Sequence, residues 1–175
     1  MALTNKIGVI ADSFRVGVRE GLSKAKLAGA DGVQIYAVSG EMDPANLTSE
    51  ARKELKDYIA SIGLEISALC GDLGGHGFQD KNVNREKNRK KSKRILDLAV
   101  ELGTNVVTTH IGVVPRDQND PIYAAMQNAC EELASYATGM NAFFCHRNGS
   151  RACGAFEIFS RYAGQQRGVG QFRSR

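Results

Sequence analysis

The chain has 175 residues, of which 42% are hydrophobic and 24% are charged. These fractions are typical of a folded globular domain and exclude a disordered or collagen-like chain. No apolar run approaches the roughly 20 residues that a membrane-spanning helix needs, and residues 1–6 lack the pattern of a secretion signal. The four cysteines are scattered without a Cys-x-x-Cys pair, which favours reduced thiols. We therefore expect a cytoplasmic protein with no membrane partner.

The net charge of +4 is distributed unevenly along the chain. Residues 1–144 contain 17 Lys and Arg against 18 Asp and Glu, whereas residues 145–175 contain six arginines and one acid, Glu157. The basic character therefore belongs to the C-terminal part. Since the larger part is close to neutral, we do not expect it to attract polyanions, and nucleic acid is an unlikely partner.

Strand-like and helix-like segments alternate through the first 144 residues. Apolar residues three or four positions apart predict helices that end near a glycine, and short runs rich in β-branched residues predict buried parallel strands. The predicted strands are 6–11, 32–36, 65–70 and 105–110, with a fifth starting at 141; the predicted helices are 18–28, 51–62, 95–102 and 121–136.

Two folds accept an alternation of parallel strands and helices, the closed (β/α)8 barrel and the open doubly wound sheet. A dinucleotide-binding doubly wound sheet needs a glycine fingerprint directly after its first strand. Residues 11–15, Ala-Asp-Ser-Phe-Arg, contain no glycine. The sequence therefore favours the α/β barrel.

Four segments of the chain, taken in order, resemble one family. They are 6–14 (Lys-Ile-Gly-Val-Ile-Ala-Asp-Ser-Phe), 27–35, 61–71 and 96–112. Their sequences and spacing are similar to the first four βα units of the xylose-isomerase-like sugar (phosphate) isomerases and epimerases. The resemblance covers residues 6–144. It implies a (β/α)8 TIM barrel of which this chain carries about the first four βα units, followed by an irregular tail.

The resemblance also implies a kind of chemistry. In a TIM barrel the βα loops build the site at the carboxyl ends of the strands. The family uses a divalent metal (manganese, magnesium, cobalt or zinc) to polarise an open-chain sugar during isomerisation or epimerisation. Its metal ligands lie at the ends of strands five to eight, which this chain does not carry as family sequence. We therefore expect no tightly bound metal, no turnover, and no catalytic residue that the sequence alone can assign.

Residues 145–175 differ from the rest of the chain. All six of their basic residues are arginine, and no helix or strand period persists. Dropping one nucleotide from codon 145 permits codons 145–149 to read Ala-Ile-Glu-Thr-Gly and codons 170–174 to read Val-Asn-Phe-Asp-Pro, which resemble the family's fifth and sixth strands. We therefore predict a family domain over 1–144 and an out-of-frame tail. An authentic arginine-rich tail that binds RNA or a partner is the alternative.

Three residues are candidate substrate contacts. His110 follows the fourth predicted strand, His76 lies in a glycine-rich segment after the third, and Asp12 follows the first. Each has a structural alternative: a buried structural histidine for His110, an exposed loop histidine for His76 and a loop cap for Asp12. Asp72, Tyr36 and Glu41 are weaker candidates of the same kind.

Two other functions remain open. His76 and His110 also resemble two zinc-binding histidines of the endonuclease IV-type DNA-repair enzymes, although a stable zinc site needs three or four ligands. The basic run at 85–94 would fit DNA, but we expect it on the solvated face of a helix. The third possibility is a non-catalytic half-barrel that associates with itself through unpaired strand edges and an apolar sheet face.

Overall fold

The computed structural model describes residues 5–75, 77–79 and 82–146. In this part of the chain, five parallel strands form one sheet in the order β1-β2-β3-β4-β5. Each strand lies beside the one that precedes it, as in a barrel, whereas a doubly wound sheet reverses its order. This confirms the predicted barrel class. The strands are β1 (Gly8–Ile10), β2 (Gly32–Tyr36), β3 (Glu65–Cys70), β4 (Val106–Thr109) and β5 (Phe143–His146).

Helices connect the strands and cover one face of the sheet. Within the described residues, none of them is both long and apolar enough to cross a bilayer. Short 3₁₀ helices at Ala11–Phe14, Gly40–Met42 and Gly77–Gln79 lie in the loops that follow β1, β2 and β3. The first of these ends β1 earlier than predicted. The long helices are α1 (Val18–Leu27), α2 (Ser49–Ser61), α3 (Asn82–Leu102) and α4 (Pro121–Gly139).

The helices end in the same backbone motif. After α2, Gly63 adopts a φ of +68° and the N–H of Leu64 bonds the carbonyl of Ile59, which satisfies a helix-end acceptor. The predicted stops Gly29 and Gly103 serve α1 and α3 in the same way. Helix α4 ends at Gly139, near the predicted position, but Gly139 is not its left-handed residue. There the left-handed residue is Asn141, at a φ of 55°, because asparagine tolerates this conformation better than most residues.

The core lies between the sheet and the helices. Successive strand residues point to opposite faces, so Val33, Ile35, Leu69 and Val107 are fully buried against the helices. Most side chains on the opposite face are apolar, and several of them are partly exposed. That face includes Ile10, Gln34, Tyr36, Thr108, Phe143 and Cys145.

Helix α3 begins at Asn82 and includes both the predicted apolar stripe at 95–102 and the basic run at 85–94 that was expected on a helix. The basic run is therefore helical, but the prediction that it is solvated is wrong for part of it. Arg89 is half-buried and pairs with Glu132 of α4 at 2.8 Å, and Lys91 pairs with Asp43 at 2.7 Å. These carboxylates lie on neighbouring elements, which the sequence pattern of α3 alone does not reveal.

The last described strand extends two residues past the predicted domain boundary at 144, and that boundary stays a prediction. Strand β5 continues through Cys145 and His146, which are in register with Thr108 and Thr109 of β4. Residues 147–175 lie outside the described residues. The predicted irregular, out-of-frame tail therefore stays a prediction.

Candidate functional site

A row of four residues crosses the sheet on the face that is not covered by helices. Register places Tyr36 beside Cys70, Cys70 beside Thr108, and Thr108 beside Cys145. All four lie at the carboxyl ends of β2 to β5, where a barrel builds its site. The row supplies hydroxyl and thiol groups to the inner face of the sheet. Cys70 and Thr108 were not among the predicted site residues, because nothing in a strand pattern distinguishes a residue that lines a site from one that is packed in the core.

His110 and Asp72 meet one layer above this row. His110 follows β4 and Asp72 follows β3, and the distance from His110 Nδ1 to Asp72 Oδ2 is 2.6 Å. The imidazole side chain is 48% exposed and the carboxylate 23%. The other carboxylate oxygen, Oδ1, accepts the N–H of Gly74 at 3.0 Å. The carboxylate is therefore held from two sides while the ring faces the open side of the site.

The backbone beneath this pair is fixed. The N–H of Gly71 donates to the carbonyl of Thr108 at 2.7 Å, which extends the parallel ladder beyond β3. The buried hydroxyl of Thr109 donates to the carbonyl of Gly71 at 3.0 Å. Because Gly71 precedes Asp72 and Thr109 precedes His110, these bonds set the separation of the two functional side chains.

The loop that carries Asp72 is docked against the loop that follows His110. Phe78 N–H bonds the carbonyl of Ile111 at 2.9 Å, and the Gln79 amide bonds both the N–H and the carbonyl of Val113. At Gly77 a Cβ would lie 2.4 Å from the carbonyl carbon of Ile111, so only glycine fits this contact. His76 lies outside the described residues, and its predicted role as a substrate contact stays a prediction.

The carboxylate of Asp12 makes a structural contact between two strand ends rather than a cap within its own loop. Its Oδ2 accepts the backbone N–H of Tyr36 at 2.9 Å, which joins the ends of β1 and β2. Together with Arg15, Tyr36 and Glu41 it also lines a cavity of about 250 Å³ at this edge. The contact has a structural role, and substrate binding by Asp12 stays a prediction.

Tyr36 links the two ends of the site electrostatically. Its pKa is raised, first by the negative charge that Cys70 can carry, then by burial and the hydrogen bond with Cys70, and further by the carboxylates of Asp72 and Asp12. The phenol therefore stays protonated at neutral pH and can donate a hydrogen bond.

The family's divalent metal does not fit the described residues alone. No group of three or more His, Cys, Asp or Glu side chains in residues 5–75, 77–79 and 82–146 is placed to hold an ion. His110 and Asp72 supply two such side chains, and they are already paired with each other. A stable divalent site needs more protein ligands than this pair offers.

A larger cavity of about 510 Å³ lies on the helical side of the sheet. Its lining mixes charges of both signs: Arg52 pairs with Glu101 at 2.6 Å, and Asp97 accepts the hydroxyl of Tyr136 at 2.8 Å. The cavity is lined by residues of α2, α3 and adjoining loops rather than by strand ends. Size alone therefore does not mark it as the site.

Comparisons with solved structures agree with the fold. The chain is similar to a xylose isomerase domain protein from Planctomyces limnophilus, with 20% identity and a TM-score of 0.76 over 90% of this chain and 59% of that chain. A D-psicose 3-epimerase solved in the presence of D-fructose is 12% identical, with a TM-score of 0.71 over 91% of this chain and 60% of that chain. The D-psicose 3-epimerase of Clostridium cellulolyticum H10, solved with D-tagatose, is 14% identical, with a TM-score of 0.64 over 81% of this chain and 52% of that chain.

At these identities the solved structures show the fold alone, and the chain spans at most about 60% of their lengths. No curated protein sequence matches the chain. A family model described as xylose isomerase-like TIM barrel matches residues 22–151, which is more than half of the chain. The chain therefore belongs to the xylose isomerase-like TIM barrel family.

Proposed function

We propose that this chain is part of a sugar or sugar-phosphate isomerase or epimerase that uses a divalent metal. The position of His110 carries the proposal. It lies just beyond the carboxyl end of β4, half-exposed and held by Asp72. The family and the two D-psicose 3-epimerase neighbours support a sugar as the substrate.

An open-chain sugar presents a row of hydroxyl groups and one carbonyl. The inner face offers groups that match them: the Tyr36 phenol donates, the His110 imidazole exchanges a hydrogen bond, and the Thr108 hydroxyl does both. Sites built to hydrogen-bond a substrate hydroxyl discriminate strongly against analogues that lack it. These three residues would bind and orient the sugar, and none of them needs to act as the base that moves the carbon-bound proton.

A bound divalent metal would polarise the sugar carbonyl and hydroxyl. Since the described residues do not make up a metal site, we derive no step through it. We propose instead that the 175 residues alone do not turn sugars over. The remaining ligands would come from the strands that complete the barrel, as the resemblance implies.

The test assays ketose C3 epimerisation and aldose–ketose exchange with added manganese. We expect no turnover by the 175-residue chain and measurable turnover by a version whose frame is restored after codon 144. In the restored version, His110→Ala should lower kcat/KM at least about tenfold, as for other lost substrate hydrogen bonds. Asp57→Asn, on an exposed face of α2, is the control. Cleavage of abasic DNA without sugar turnover would favour the endonuclease IV-type alternative instead.

The reading frame is tested separately. We propose that residues 145–175 result from a one-nucleotide shift, and the coding DNA across codons 143–146 decides it. A nucleotide run that is prone to slippage, followed by an open frame encoding family sequence, is the expected result. An open downstream frame that encodes no family sequence would favour an authentic arginine-rich tail.

Self-association and cytoplasmic location also remain proposals. Within the described residues, β1 and β5 each pair with one neighbour, so each offers a free edge to another chain. Size-exclusion chromatography with light scattering should therefore show dimers or larger species, and a stable monomer would contradict this. Cys70, Cys130 and Cys145 are free thiols, which fits a reducing compartment.

A further inference from the structure

The contact between His110 and Asp72 constrains the chemistry of the imidazole ring. A neutral imidazole carries its single proton on either Nδ1 or Nε2, and its hydrogen-bond partners decide which. Here Nδ1 lies 2.6 Å from Asp72 Oδ2. An ionised carboxylate only accepts hydrogen bonds, so Nδ1 must be the nitrogen that donates. The neutral ring then has its lone pair on Nε2.

The Asp72 carboxylate is held in place by several hydrogen bonds, whereas the His110 ring is accessible. Asp72 is held by the N–H of Gly74 in addition to the ring, and its backbone is tied to β4 through Gly71. Among the described residues, Asp72 is the one to which the His110 ring is hydrogen-bonded. Nε2, on the far side of a half-exposed ring, is therefore available to a ligand.

The ring lies on the same side of the sheet as the row of inner-face residues. His110 is two positions beyond Thr108, and Asp72 is two positions beyond Cys70, so alternation along extended chains places them above that row. A molecule bound on the inner face would contact the Thr108 hydroxyl and His110 Nε2 from one side. Hydroxyl hydrogens are the groups that an unprotonated imidazole nitrogen accepts.

We propose that Asp72 is a positioning residue that fixes His110 as the Nδ1–H tautomer, so that Nε2 accepts a hydrogen bond from a substrate hydroxyl. The role toward a sugar hydroxyl rests on the proposed function. The tautomer does not, because it follows from the Asp72 contact alone. A failure to turn over sugars would therefore leave the tautomer assignment intact.

The experiment is a long-range ¹H–¹⁵N NMR correlation of the imidazole nitrogens in the full 175-residue chain, at about pH 8.5, where ordinary histidines carry one ring proton. The chain has three histidines, and His110→Gln assigns the signal. We expect Nδ1 to carry the proton in most molecules, opposite to the preference of free histidine. A majority of Nε2–H in the unmodified chain would overturn the proposal without any need for a variant.

Asp72→Asn tests the cause. The amide can accept from or donate to Nδ1, and hydrogen bonds to ionised acceptors are roughly twice as strong as neutral ones, so the Nδ1–H to Nε2–H ratio should fall about tenfold. Asp12→Asn, the same change at the same edge of the sheet, should leave the ratio unchanged. If the ratio is unchanged in Asp72→Asn and the amide spectrum is that of a folded protein, another group fixes the tautomer and the proposed role of Asp72 is wrong. If Asp72→Asn does not fold, Asp72→Glu is measured in its place. Because glutamate keeps the negative charge, the proton should remain on His110 Nδ1.

Discussion

The side-chain amide of Gln34 donates a hydrogen bond of 2.6 Å to the hydroxyl of Thr108, although the two residues lie on strands that are not neighbours. Strand β3 runs between them, and its Ala68 is the register partner of Gln34. The small side chain of Ala68 leaves room for the bond to cross the inner face. This bridge ties β2 to β4 directly beneath the candidate site.

We expect the bridge to contribute about 1 kcal/mol of coupling to the free energy of unfolding, the usual net value for a half-buried hydrogen bond. A double-mutant cycle of Gln34→Met and Thr108→Val removes each polar group with little change in volume. Urea unfolding of the two single variants and the double variant gives the coupling. A coupling energy below about 0.3 kcal/mol would mean that water replaces the bond without loss.

Two glycines of the loop after β3 make a matched pair of substitutions. Gly77 and Gly74 both have positive φ, of +59° and +71°, so alanine at either costs about 1–2 kcal/mol of backbone strain. A Cβ at Gly74 meets nothing within 4 Å, whereas at Gly77 it would collide with the backbone of Ile111. Gly77→Ala should therefore lower the free energy of unfolding by about 1–3 kcal/mol more than Gly74→Ala. Equal losses in urea unfolding would show that the two loops separate easily.

Much of the fold was predictable because its signals are local. A glycine stop such as Gly63 or Gly103 follows from the need for a left-handed residue where a helix meets a strand. The strands β2 and β3 were predicted at their observed limits, since short apolar runs bounded by a glycine or a turn are recognisable in the sequence. The repetition of these joints indicated parallel strands joined by helices, and the lack of a glycine fingerprint after β1 together with the family resemblance favoured the barrel.

The candidate site was predictable only in part, because its partners are distant in sequence. His110 was identified by its place after a strand, but nothing near it indicates that Asp72, 38 positions away, lies against its ring. The contacts of the N-terminal half of α3 were missed for the same reason. Its first turns are stabilised by loops and helices elsewhere in the chain, as when Asn88 donates to the carbonyl of Gly77, and show little apolar periodicity of their own.

Ser92 should be replaceable with a gain in stability. Its side chain is 1% exposed in α3, and its hydroxyl finds no hydrogen-bond partner among the described residues. A buried hydroxyl without a partner costs about 1–3 kcal/mol, and alanine also favours the helix. Ser92→Ala should therefore raise the free energy of unfolding by about 1 kcal/mol. Ser23→Ala, which loses a bond with the Tyr58 hydroxyl, should lower it. If Ser92→Ala instead lowers the free energy of unfolding, the hydroxyl binds a buried water.

The half-buried pair of Lys91 and Asp43 should make stability depend on pH in the acid range. The Lys91 ammonium also donates to the carbonyl of Val38, and its hydrogen bond lowers the pKa of Asp43 below the ordinary value of 3.8. A carboxyl whose pKa is lower in the folded state contributes its full stabilisation above the unfolded pKa. That contribution is lost as the pH falls through the folded pKa.

Lys91→Met removes this contribution. At pH 7 we expect it to lower the free energy of unfolding by about 1–2 kcal/mol, because Asp43 then keeps its charge without its partner. Below about pH 4 the difference between the variant and the unmodified chain should shrink as Asp43 takes up a proton. Urea unfolding at pH 7, 5 and 3 measures both effects. Lys53→Met, from a fully solvated pair with Asp57, should show neither. A difference for Lys91→Met that is constant from pH 7 to 3 would mean that the ammonium stabilises the loop through Val38 and not through Asp43.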